Sequence, residues 1–215
     1  MNEYRRKHPY ETLDLSGANL RSANLREVNL SNSNLEKANL SFAKLINANL
    51  QEANLKKASL FSAHLFKANL SRANLLEACL DAVNLTSAVI SNADLSKATL
   101  RGADLWDAQL SESVCRKANL NFSQLISANL SKTDFSKASF FEANLSGADL
   151  SRANFSNADL SFAEIKFVKL METDFSGANL YGAKLQYLDF SKIQIANAIM
   201  GSTAVSYTHL TLPTN

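Results

Sequence analysis

The sequence is short of what ordinary all-β proteins use to turn. Six glycines and two prolines in 215 residues are too few for a sheet of conventional hairpins, whose tight turns call for glycine. Two cysteines, Cys79 and Cys115, make no disulfide framework. The N-terminal segment carries positive charge with no apolar run behind it, which predicts no ordinary signal peptide. No stretch approaches the roughly 20 apolar residues of a membrane span, so no membrane partner is expected and the predicted setting is cytoplasmic. Lys+Arg is 22 and Asp+Glu is 20, a formal net charge of +2. Such a balance provides no whole-molecule attraction for nucleic acid and does not make the chain a polyanion.

Catalytic vocabulary is equally sparse. Of three histidines, His8 lies near the N-terminus, His64 at an outward position read as a turn, and His209 in the C-terminal tail. None has a partner at metal-ligand spacing. Cys115 falls on an inward, packing position, whereas Cys79 reads as outward at a turn, with no base to activate it. There is no Ser-His-acid order, phosphate loop or dinucleotide fingerprint. The expectation is no catalytic residue, no metal, no cofactor and no enzyme.

What the sequence has is a beat of five. From Leu15 to Met200 every fifth residue is apolar, 38 consecutive positions, and the exceptions to leucine are Ile90, Cys115, Phe135, Phe140, Phe155, Ile165, Phe175, Phe190, Ile195 and Met200. Two residues before each stands a small or apolar residue, usually alanine, as at Ala18, Ala23 and Ala38; between them Asn or Asp predominates, as at Asn19, Asn24 and Asp94. Five is neither the 3.6 of a helix nor the 2 of a long strand. It requires a backbone that turns by a fixed angle once per repeat, so that four repeats close a square coil of 20 residues. Leucine and alanine then point inward, and alanine is needed because so narrow a bore cannot hold two large side chains per side. Asn and Asp are expected at the bends, where their side chains bond nearby backbone. About nine and a half coils at strand spacing make a rod on the order of 45 Å long.

Runs such as Ala68-Asn69-Leu70-Ser71-Arg72 and Ala148-Asp149-Leu150-Ser151-Arg152 resemble the pentapeptide-repeat family. The resemblance implies an all-β fold, a right-handed quadrilateral parallel β-helix, over roughly residues 13–200. Residues 1–12 are expected to cap its N-terminal end, since a solenoid's terminal coils need covering. Residues 201–215 leave the repeat and read as a disordered or non-native tail, similar to a translated cloning adaptor. The apolar last positions Ile193, Ile195, Ala198, Ile199 and Met200 then predict end-to-end association or a homodimer at the C-terminal coil, an arrangement the resemblance also permits.

Residues 20 apart stack in one column, which sorts outward residues by face. On the face of Leu15, Leu35 and Leu55, one column holds Lys37, Lys57, Lys97, Lys117 and Lys137, flanked by Lys56 and Arg116. This basic ridge is a candidate polyanion site whose affinity would fall with salt; a solvated charged face is the plainer reading. The face of Leu20 carries Phe42, Phe61, Phe122, Phe141, Phe162 and Tyr181, and the face of Leu25 carries Ile46, Phe66, Trp106, Ile126, Phe167 and Tyr187. Exposed apolar area of this extent marks a partner interface, although aromatics also serve to cover β backbone. The leading expectation is a non-catalytic scaffold that binds a protein through these aromatic faces. The family resemblance implies an alternative, DNA mimicry directed at a type II topoisomerase such as gyrase. Mimicry needs a strongly acidic face, and the four faces come out near +1, −1, +1 and 0. Direct nucleic-acid binding through the lysine column is a third reading.

Overall fold

The computed structural model describes residues 2–8, 11–189, 191, 193–201 and 204–206; Pro9, Tyr10, Phe190, His209 and most of the tail lie outside them. The chain winds as a four-sided parallel β-helix. Each repeat contributes one bridge, paired in parallel with the residue 20 positions on: Asp14 with Asn34, Asn34 with Asn54, Asn54 with Asn74, and so along the rod. Near its C-terminal end the bridges lengthen into β1 (Glu164–Lys166), β2 (Lys184–Gln186) and β3 (Ala204–Ser206), in the order β1-β2-β3 and the same register. The pairing of Lys184 with Ala204 carries the coil past Met200, where the sequence reading ends it.

One repeat shows why the pattern folds this way, because all five of its N–H groups find acceptors. Asn49 N–H donates to Val28 O at 2.8 Å, Leu50 to Asn69 O at 2.7 Å and Glu52 to Ser71 O at 2.9 Å, all between coils. Ala53 N–H closes the turn onto Leu50 O at 3.0 Å. The fifth, on Gln51, is reached by no backbone carbonyl and donates to Asn49 Oδ1 at 3.1 Å. Buried or half-buried backbone must be paired, so Asn or Asp before the leucine supplies the one acceptor that the coil lacks. This corrects the expectation that Asn and Asp sit at the bend. They occupy the straight bridge and only their side chains reach into the turn.

The bend itself falls on the two residues after each leucine. At every described second turn position from Gly17 to Asn197 φ is positive, near +60°, and most of these residues are not glycine: Lys57 is at 57°, Phe122 at 63° and Ala82 at 55°. The turn bond from Ala53 to Leu50 with φ > 0 at the third residue is the mark of a type II turn. A left-handed conformation costs a non-glycine residue about 1–2 kcal/mol, offset at each step by the coil-to-coil bonds it permits. That is how so few glycines turn the chain so often.

Inside, every repeat leucine from Leu30 to Leu130 is fully buried, Leu70 and Leu125 included, as are the substitutes Ile90 and Cys115. Leu15, Leu20 and Leu25 at one end and Ile193, Ile195 and Met200 at the other are only partly covered. Phenylalanines fill one stretch of the bore: Phe155 stacks between Phe135 at 5.0 Å and Phe175 at 5.2 Å, centroid to centroid. Two threonines that replace alanine bond the previous coil, Thr133 Oγ1 to Leu110 O at 2.8 Å and Thr173 Oγ1 to Leu150 O at 2.9 Å. At the N-terminal edge, α1 (Asn2–Lys7) brings the Asn2 amide against the first coil. Its Nδ2 donates to Glu27 O at 2.9 Å and its Oδ1 accepts from Asn29 N–H at 2.8 Å, the donor that in later coils is served by a preceding strand.

Candidate functional site

Because the two residues after each leucine make the turn, the outward columns sorted by face run along the corners of the rod. The flat middle of each side belongs to the Asn/Asp column. His64 and Cys79 stand there, bridged to Asn84 and Thr99, not at turns as the sequence suggested. The lysine column therefore follows the corner between the first and second sides. The two aromatic sets follow the next two corners and flank the third side, whose mid-line reads Lys44, His64, Asn84, Asp104, Gln124, Asn144, Glu164, Lys184.

The twelve aromatic and apolar residues do not form one sheet of exposed surface. On the corner after the second side, Phe42 and Phe61 meet edge to face at 5.4 Å, with the Arg21 guanidinium 4.4 Å from the Phe42 centroid. Asp81, Ala82, Arg101 and Gly102 then interrupt the row. It resumes as a continuous zigzag, Phe122–Phe141–Phe162–Tyr181, with successive edge-to-face contacts of 5.6, 5.7 and 5.6 Å. Favourable edge-to-face pairs of this kind contribute about 0.5–1.5 kcal/mol each beyond area burial, so these rings stabilise the exterior of the rod as well as decorating it. On the corner after the third side, Phe167 and Tyr187 stack at 4.3 Å and 9°. Trp106, 55 % exposed, has no aromatic neighbour among the described residues, and Phe66 lies under the Lys67 ammonium at 5.1 Å. Ile46, Ile126, Phe42 and Phe141 are half-buried. The most outward rings are Phe167, at 63 %, Trp106 and Tyr187.

The basic ridge is partly neutralised. Glu77, the one acidic residue in the lysine column, lies 3.5 Å from Lys57 and 3.4 Å from Lys97. Desolvation pushes its carboxyl up, but the two lysines together hold it below the ordinary glutamate range. Lys37 pairs with Glu36 at 3.7 Å and Arg116 with Asp134. Lys56, Lys117 and Lys137 make no ion pair among the described residues. The fourth corner, which sequence sorting left unremarked, carries its own charged ladder: Arg72–Glu52 at 3.4 Å, Lys132–Glu112 at 2.7 Å and Arg152–Glu172 at 2.9 Å. Its signal was visible as alternating sign at a spacing of 20.

Cys115 is buried among leucine and phenylalanine, and burial pushes its thiol far up, with Asp94 and Asp134 adding to the shift; it packs. Among the described residues no cluster of His, Cys, Asp and Glu is arranged to hold a metal ion. Among the same residues no helix is long and apolar enough to cross a membrane.

The pentapeptide-repeat profile matches the sequence in eight copies, among them residues 14–51, 38–76, 78–114, 103–140, 138–177 and 172–201. The chain is a member of the pentapeptide-repeat family. Its fold is the family's right-handed quadrilateral β-helix, shared with solved structures. HetL, a pentapeptide-repeat protein involved in heterocyst differentiation regulation in the cyanobacterium Nostoc, is 29 % identical over 89 % of this chain and 82 % of its own, with a TM-score of 0.53. QnrB1, a plasmid-mediated fluoroquinolone resistance protein, is 18 % identical over 87 % of this chain and 91 % of its own, with a TM-score of 0.59, a likeness of fold alone. Among curated proteins no sequence matches.

Proposed function

We propose that this pentapeptide-repeat protein is a non-catalytic scaffold that binds a protein partner through the two aromatic corners flanking its third side. The observation that carries this reading is the exposure of Trp106, Phe167 and Tyr187, rings held outward on left-handed or adjoining turn residues. Rings so placed expose apolar area that burial against a partner would stabilise by about 25 cal/mol per Å², and Trp and Tyr are frequent interface anchors. The zigzag from Phe122 to Tyr181 supports it by supplying a preformed, rigid rim at little ordering cost.

Two other readings have less behind them. DNA mimicry directed at a type II topoisomerase has the fold in its favour, but charge alternates or cancels along the corners, where a mimic needs an unbroken negative row. Polyanion binding is reduced to Lys56, Lys117 and Lys137, since Glu36, Glu77 and Asp134 engage the rest of the ridge.

The test is in-cell crosslinking with mass spectrometry on the wild type, a Trp106→Ser/Phe167→Ser/Tyr187→Ser variant and a Lys117→Glu/Lys137→Glu variant. A partner lost only with the aromatic changes is expected. Identical profiles for wild type and the aromatic variant would end the proposal. Loss confined to the lysine variant would transfer the function to the basic ridge.

A further inference from the structure

We draw no further inference here: the strongest candidate, the stacked Phe167–Tyr187 pair on the corner after the third side, belongs to the surface already described, and nothing in the structure shows what covers it.

Discussion

The ring of Phe162 rests on the backbone of Gly182 one coil later: a Cβ built there would come within 2.6 Å of the ring's Cδ1 and Cε1. Gly182 is also at φ +68°, so alanine would meet strain and collision together. Gly182→Ala is expected to destabilise the protein by about 1–3 kcal/mol. It should also break the Phe162–Tyr181 contact, 5.6 Å in the native zigzag. Urea unfolding measures the first and aromatic NOEs the second; unchanged NOEs would show that the ring does not need the glycine.

The opposite sign is expected elsewhere in the same kind of turn position. Ala82 holds φ 55° and is exposed on an interrupted stretch of the corner. Ala82→Gly should stabilise by about 0.5–1 kcal/mol, the left-handed penalty removed less the added freedom of the unfolded chain. A loss of stability of similar size would mean that the repeated positive φ is not a strain the chain bears.

In two repeats that lack Asn or Asp, the fifth N–H has a substitute acceptor. At Thr99 the following Arg101 N–H donates instead to Asp81 Oδ1 at 2.9 Å, one coil earlier, and at Ser139 the Phe141 N–H donates to Asn121 Oδ1 at 3.0 Å. Asp81→Ala should cost about 1–2 kcal/mol by stranding that donor, and Thr99→Asn should restore most of the loss by supplying an acceptor within the repeat. Denaturant midpoints of the two single variants and the double variant form the cycle; additive losses would refute the substitution.

Acid should destabilise the rod. Burial pushes the Asp134 carboxyl up, but the Ser136 N–H and the Arg116 guanidinium outweigh it and hold the group below the 3.8 of an ordinary aspartate. Asp149 is held low likewise, against burial, by Ser151 and Lys169. Glu164 is lowered first by the Lys184 hydrogen bond, against a smaller opposing push from burial. With native values below unfolded ones, the unfolded chain takes up protons first as pH falls. The stabilisation is complete above roughly pH 5 and is lost progressively below about pH 4. Urea midpoints across that range check it, and a midpoint that rises on acidification would contradict the depressed carboxylates.

The fold was legible because its cause is local and repeated. Leu70 and Leu125 could be placed in the bore from spacing alone, and Asn34 beneath Asn54 from the 20-residue coil. The bend was misplaced for a physical reason. The turn residues Lys57, Phe122 and Glu142 have no propensity for positive φ, and the coil-to-coil hydrogen bonds impose that conformation on whatever side chain stands there. The aromatic set was found by counting, but its division into the Phe42–Phe61 pair, the Phe122–Tyr181 zigzag and the Phe167–Tyr187 stack was not.

The sequence by itself determined the period, the bore and the membership of every column, because an inward leucine each five residues admits one way of closing the chain on itself. Only the tertiary structure decided which outward residues occupy corners, that Glu77 sits between Lys57 and Lys97, and that the Phe162 ring lies against Gly182. Those facts depend on the direction each side chain takes from a left-handed turn, and that direction is set by bonds to the neighbouring coils.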